Sequence, residues 1–501
     1  MAARLFRWVV GIAVVAVLAA VPGAGFAPGF DTPDWFYHQR LAWRDCERAD
    51  LDATGTRCAT VRVPLDYTRP FGRTLSIAVS RVPATDPDRR RGVLVSNPGG
   101  PGAAGLDSVG LLGDVLSPDV RASFDLIGMD PRGVGRSDGG RPCGWQVGEM
   151  VRSAGATLAG FLHDTGVAAA MAADCVTDDP ERARQLTTRN TARDMDVLRA
   201  ALGERAISYF GVSYGTYLGA VYTQLFPQHS DRVVLDSAID PGRYWAGLVQ
   251  DWGPADEAAL DDWAAWAATR DDVYRLGNSP QLVRATVEDL LATAARQPIV
   301  LDNFRIDDHW LPFILHNLLN SFRSNEALAD TVREIADAAT GPPAAARGTR
   351  LAAVLSALRE GENSELAFIA CGDAPAPTDP GWYWEGIEST RATQPVFGAL
   401  ANNIQPCAFW PRPAEPATTV RNAVPALILQ ATGDPRTPYA HGVRLHGDLT
   451  ASRLATLRDV RIHMTFRPDL SRCLGDAVNT YYATGVLPAT DLVCQADRAN
   501  P

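Results

Sequence analysis

Residues 206–219 read Ala206-Ile207-Ser208-Tyr209-Phe210-Gly211-Val212-Ser213-Tyr214-Gly215-Thr216-Tyr217-Leu218-Gly219, an apolar run, a G-x-S-x-G turn and the start of a helical stretch. That order fits a serine carried on a sharp turn from strand to helix, its hydroxyl presented at the end of a sheet. The turn needs small residues on both sides because neighbouring backbones pass close to it, and Gly211 and Gly215 supply that room. Ala206 to Phe210 suits a strand, and Tyr217 to Phe226 runs as a helix that Phe226-Pro227 closes. Ser213 is therefore read as a nucleophile, against the plainer alternative of a Gly-rich turn with a bystander serine.

A serine hydroxyl is a poor nucleophile at neutral pH unless a histidine takes its proton and a carboxylate orients that histidine. On a strand–turn–helix serine the partners follow in the order acid, then histidine, each at the end of a strand. Asp434 fits the acid: it closes the run Ala426 to Gly433, and Pro435-Arg436-Thr437-Pro438 forces a loop directly afterwards. Asp236 and Asp240, ending the strand after Ser213, compete with it. Of the histidines beyond Asp434, His441 and His446 are too close, whereas His463 finishes an apparent strand from Leu457 to Ile462. An oxyanion needs backbone donors, usually the N–H after the nucleophile and one from an earlier strand's loop. Tyr214 supplies the first, and the segment Asn97-Pro98-Gly99-Gly100-Pro101-Gly102 the second, through Gly100.

Outward from this centre, strands are expected at Leu75 to Val82, Gly92 to Asn97, Phe124 to Asp130 and Arg232 to Ile239, with a helix over Arg193 to Leu202 closed by Gly203. Strands alternating with helices imply a mostly parallel sheet flanked by helices, an α/β fold. From residue 241 strand signals become sparse and Ala, Leu, Trp and charged residues take helical spacing. The sheet pattern returns at Pro425 to Gln430 and Arg453 to His463. The expected division is a leader 1–27, a first core part 28–240, a large, mainly helical cap 241–420 and a second core part 421–501. Trp252, Trp263 and Trp266 on the cap are read as packing residues.

Charged residues at 21% and hydrophobic ones at 46% exclude wholesale disorder, and a net charge of −11 argues against a nucleic-acid partner. Arg4 and Arg7, an apolar run from Trp8 to Val21 and then Pro22-Gly23-Ala24 have the layout of a secretory leader. The run is short for a membrane span of about 20 residues, so no stable membrane insertion is expected once the leader is removed. A secreted or envelope-associated chain favours disulfides. Eight cysteines permit on the order of a hundred connectivities. Pairing nearest neighbours, Cys46 with Cys58, Cys143 with Cys175, Cys371 with Cys407 and Cys473 with Cys494, closes four local loops. With no C-x-x-C, no metal is expected.

The segments Asn97 to Gly102, Asp130-Pro131-Arg132-Gly133-Val134-Gly135-Arg136-Ser137, the turn at Ser213, Gly433-Asp434-Pro435 and His463 resemble the secreted tripeptidyl aminopeptidases of actinobacteria, α/β-hydrolase serine peptidases related to prolyl aminopeptidase. Val63 to Tyr67, Cys371-Gly372-Asp373, Cys407 to Trp410 and Gly485 to Pro488 extend the resemblance over nearly the whole mature chain. It implies an α/β-hydrolase fold and an exopeptidase that removes short peptides from free N-termini through an acyl-enzyme, without metal or organic cofactor. Two departures stand out: Ile462 rather than glycine precedes His463, and Asn97 stands where prolyl aminopeptidases carry histidine. An aminopeptidase must bind an ammonium, and Asp373 is its expected acceptor by place in the family-like segment. The alternative reaction is ester cleavage, by a carboxylesterase or lipase, since the same machinery serves both. A non-catalytic binding protein of this fold would be expected to lose part of the triad.

Overall fold

The computed structural model describes residues 33–497 apart from 141, 146, 302–303, 341–349 and 361–362, and the expected leader 1–27 lies outside them. The strands are β1 (Arg44–Asp45), β2 (Arg57–Pro64), β3 (Thr74–Val82), β4 (Gly92–Asn97), β5 (Phe124–Met129), β6 (Ile207–Val212) and β7 (Ser230–Asp236). After a long helical stretch come β10 (Ala426–Ala431), β11 (Arg453–Leu457) and β12 (Leu492–Cys494). Within that stretch β8 (Ile299–Leu301) and β9 (Phe304–Ile306) pair with each other.

Among the described residues the main sheet has ten strands in the order β1-β2-β3-β5-β4-β6-β7-β10-β11-β12. The first three pairings are antiparallel and the rest parallel. Strands β4, β5, β6 and β10 are buried along their whole length, as continuous apolar runs are when helices cover both faces of a parallel sheet. Leu94, Leu126 and Leu427 meet Leu112, Val120 and Tyr482 from the helices Ser108–Val115, Pro118–Ser123 and Arg472–Thr484 on one face. The helices Thr188–Ala201 and Tyr214–Leu225 pack against each other, and the second lies on β6 and β7.

Because β4, β6, β7, β10 and β11 run parallel, their C-terminal ends share one edge, where such folds gather their sites. Asn97 ends β4, Ser213 follows β6, Asp236 ends β7, and the loops after β10 and β11 carry Asp434 and His463. The strand expected to run to His463 is shorter than its apolar pattern. The strand leading to His463 stops at Leu457; Asp459 takes a left-handed φ of 58°, and Ile462 makes only an isolated bridge with Ser321. His463 therefore sits in a loop beyond the strand, held by Asn320 of the helical insertion on one side and by the end of β7 on the other.

Between β7 and β10 the chain is mainly helical, from Ala246–Ala268 to Gly398–Ala401, with the β8–β9 hairpin as an element the sequence pattern did not reveal. Trp263 is fully buried there and donates through Nε1 to the Asn325 carbonyl. No helix of the described residues is long and apolar enough to cross a membrane. All eight cysteines form disulfides between nearest neighbours: Cys46–Cys58, Cys143–Cys175, Cys371–Cys407 and Cys473–Cys494.

Candidate active site

Ser213 adopts φ 55° and ψ −121°, a conformation that costs a non-glycine residue on the order of 1–3 kcal/mol and persists only when its surroundings hold it. Its N–H donates to the Asp236 carbonyl at 2.9 Å, and its own carbonyl accepts from the Thr216 N–H and hydroxyl. The flanking glycines are dictated by space: a Cβ on Gly211 would stand 2.3 Å from the Gly215 carbonyl oxygen, and one on Gly215 2.7 Å from that of Asn97. The elbow helix starts at Tyr214, earlier than the sequence suggested, since these glycines are places of close approach and do not break the helix.

Asp434 and His463 meet. His463 Nδ1 lies 2.9 Å from Asp434 Oδ2 and 3.1 Å from Oδ1, and both side chains are buried. The carboxylate also accepts from the N–H groups of Arg436 and Thr437 and from the Thr437 hydroxyl. Burial alone would raise its pKa; the His463 charge and these donors outweigh it and hold the carboxyl below the usual range. With Nδ1 committed to Asp434, Nε2 is the nitrogen left for Ser213. No hydrogen bond joins Nε2 to Ser213 Oγ among the described residues, and such bonds commonly tighten only on substrate binding.

The competing carboxylates are occupied elsewhere. Asp236 accepts from the N–H groups of Thr465 and Phe466 and from the Thr465 hydroxyl, which pins the chain just after His463. Asp240 accepts from the Gly242 N–H in the turn that leaves the sheet. Sequence reasoning ranked both as acids; their service to the backbone has no local signature.

At the oxyanion side, a Cβ on Gly99 would stand 2.7 Å from the Val212 carbonyl oxygen and 3.1 Å from Ser213 Cβ, so Gly99 is the glycine that lies against the elbow. Its N–H is spent on Asn97 Oδ1 at 3.0 Å. The N–H groups of Gly100 and Tyr214 have no acceptor among the described residues; Tyr214 directly follows Ser213, and Gly100 directly follows the glycine packed against it.

The helical insertion grips the loops that carry Asp434 and His463. The His463 N–H donates to the Asn320 carbonyl, and Arg461 donates to the Leu319 carbonyl and to Asp262. On the acid loop, Arg436 reaches Asp256 Oδ1 at 3.1 Å and His316 Nδ1 at 2.8 Å, while its carbonyl accepts from Trp252 Nε1. His316 Nδ1 also lies 2.6 Å from Asp256 Oδ2, and its pKa is depressed by burial and by the Arg436 charge. This buried cluster links segments far apart in sequence.

Asp373 ends the helix Ser364–Asp373 in a buried position. Its Oδ1 accepts from the Thr188 N–H at 2.6 Å and its Oδ2 from the Thr188 hydroxyl at 2.5 Å, and that hydroxyl also meets Tyr214 O–H at 2.6 Å. The Tyr244 hydroxyl, buried and without a well-formed hydrogen bond, lies beside the carboxyl. Burial, incompletely offset by these donors, pushes the Asp373 carboxyl up to about 7. Both oxygens are thus engaged before any substrate arrives. A cavity of about 240 Å³ opens beside the elbow, between Pro98, Leu111, Val212, Met464 and Phe466.

The alpha/beta hydrolase fold family matches residues 92–460. Over 497 aligned residues the chain is 34% identical to a tripeptidyl aminopeptidase of Streptomyces lividans, covering 92% of this chain and 87% of that protein. It is 30% identical to the serine protease Hip1 of Mycobacterium tuberculosis over 91% of each chain. It is also 32% identical to a carboxylesterase B of the same organism, over 94% of this chain and 92% of that one.

Proposed function

The chain belongs to the α/β-hydrolase family, and on that premise we propose that it is a secreted serine peptidase that releases short, tripeptide-like segments from free N-termini. The observation that carries this reading is the Asp434–His463 pair beside the strained Ser213 elbow with two unspent backbone N–H groups. The tripeptidyl aminopeptidase and serine protease relatives support the peptide substrate, and the four disulfides support an oxidising, extracellular or envelope setting.

In the proposed mechanism His463 Nε2 takes the Ser213 Oγ proton as Oγ bonds to the scissile carbonyl carbon. The Gly100 and Tyr214 N–H groups receive the developing oxyanion. His463 returns the proton to the leaving amine as the C–N bond breaks, leaving an acyl-enzyme. Water, deprotonated by the same imidazole, then attacks the ester carbonyl, and His463 hands that proton to Ser213 Oγ as the C–O bond breaks and the peptide leaves as its acid. Asp434 keeps Nδ1 protonated and facing it throughout. The helical insertion acts as the cap over this centre. A second reading, ester cleavage, is favoured by the carboxylesterase relative.

A panel of free-amine and N-blocked aminoacyl, dipeptidyl and tripeptidyl fluorogenic substrates beside p-nitrophenyl esters tests the reading. Cleavage confined to free-amine peptides is expected; turnover of esters with no peptide cleavage would move the protein to the esterases. Ser213→Ala should lower kcat by roughly 10⁵- to 10⁶-fold with folding intact, and retained activity would remove Ser213 from the mechanism.

A further inference from the structure

A substrate with a free N-terminus brings a cation into the site, and a cation leaving water needs a carboxylate that is not already satisfied. Most carboxylates near the centre are satisfied. Asp236 holds the His463 loop and Asp434 the imidazole; Asp256 meets Arg436, and Asp251 meets Arg243 and His441. Asp373 has Thr188 on both oxygens.

Glu365 differs. It lies in the first turn of the cap helix Ser364–Asp373, half-buried, with no hydrogen bond to its side chain and no ion pair among the described residues. Burial raises its carboxyl pKa, and only its own backbone N–H opposes the rise. The turn that carries it rests on the glycine loop of the oxyanion side. A Cβ at Gly102, whose φ is +92°, would stand 3.0 Å from Glu365 Cβ and 3.1 Å from the Leu366 nitrogen. Gly102 cannot carry a side chain without pushing this helix end away.

The scale fits a short peptide. Gly100 and Gly102 are separated by at most about 7 Å of chain, so with the 3.0 Å contact between a Gly102 Cβ and Glu365 Cβ the latter stands within roughly 12 Å of the proposed oxyanion donor. Three extended residues span about 10 Å, which is the separation of a tripeptide's ammonium from its scissile carbonyl. We propose that Glu365 is the carboxylate that receives the α-ammonium of the substrate and so sets how many residues fit between the N-terminus and Ser213. This inference rests on the aminopeptidase reading and deepens it: the cap supplies the charge that measures length, and the core supplies the chemistry.

The test compares the full-length enzyme with Glu365→Gln and Glu365→Asp on one tripeptidyl fluorogenic substrate, with its amine free and with it acetylated. A fluorophosphonate that labels the nucleophilic serine counts assembled sites in each preparation, so a misfolded variant is recognised and corrected for. The wild type should prefer the free amine. Glu365→Gln should raise KM for it by roughly 10- to 100-fold with kcat little changed, collapsing the preference, while Glu365→Asp keeps part of it. A Glu365→Gln enzyme that still prefers the free amine overturns the assignment and leaves the aminopeptidase reading intact. A wild type that ignores acetylation, or cleaves no peptide, overturns both.

Discussion

Two buried carboxylates, Asp434 on the loop after β10 and Asp373 at the end of the helix Ser364–Asp373, are driven in opposite directions by their surroundings. Asp434 loses as much water as Asp373, yet the imidazole at 2.9 Å and donors from Arg436 and Thr437 hold its carboxyl below the usual range. Asp373 has Thr188 and the nearby Tyr244 hydroxyl, with Arg189 acting only through its charge, and burial wins: its carboxyl rises to about 7. Depth therefore does not decide charge. A cationic partner within hydrogen-bond reach does. The core carboxylate is built as a fixed anion that orients a histidine; the cap carboxylate is built as a joint between Thr188 and, through its hydroxyl, Tyr214.

The sharpest break of that contrast is Asp434→Asn. The amide is nearly isosteric, but its nitrogen faces Nδ1, so the imidazole loses the tautomer that leaves Nε2 basic. A fall in kcat of about 10⁴-fold is expected, read from steady-state turnover of the best peptide substrate. A loss below tenfold would return the acid role to Asp236.

The cap also reaches into the acid loop, and Arg436→Met measures how firmly. It leaves Asp256 buried with only His316 beside it, and such an uncompensated charge costs about 3–5 kcal/mol of stability. Urea denaturation should show this loss, with kcat lowered because the Asp434 turn shares its backbone with Arg436. Replacing both partners, Arg436→Met with Asp256→Leu, should recover most of the stability. An unchanged midpoint in the single variant would mean the cluster contributes nothing to cap docking.

What the sequence disclosed follows from how local each feature is. Strands β4, β5 and β10 were readable because a strand buried on both faces must be apolar throughout, and Ser213 because its turn needs glycines at fixed offsets. The run Leu457 to Ile462 misled, since alternation persists past the point where Asp459 turns the chain and the partner strand β12 ends at Cys494. Which glycine of Asn97 to Gly102 touches the elbow depends on a packing contact, and no residue preference separates Gly99 from Gly100. The Arg436–Asp256–His316 cluster and the Glu365–Gly102 contact join segments far apart in the chain. In the helical insertion such long-range pairs do most of the organising, so this part of the molecule left least trace in local pattern.

The gentlest probe is Asp373→Asn, and its sign separates the two carboxylates. An asparagine can keep the geometry: its oxygen accepts from the Thr188 N–H and its amide donates to the Thr188 hydroxyl, which then donates to Tyr214. Activity and KM for a free-amine tripeptide should stay within a few-fold. Stability should not stay constant with pH. In the unfolded chain Asp373 ionises at its ordinary value of 3.8, whereas in the fold it keeps its proton to about 7. The folded state therefore holds an extra proton across that window, and the group's contribution falls as pH rises from about 4 to about 7, then levels off. The variant lacks this drain, so its stability relative to wild type should climb between pH 5 and pH 8, by at most a few kcal/mol. Asp434→Asn should show the opposite slope at lower pH, because a depressed carboxyl contributes stability above its unfolded pKa and loses it as pH falls through the folded one. Urea midpoints for both variants at pH 3, 5 and 8 read the two slopes side by side. Parallel slopes would mean that Asp373 stays ionised in the fold and that the cap holds a cation near it after all.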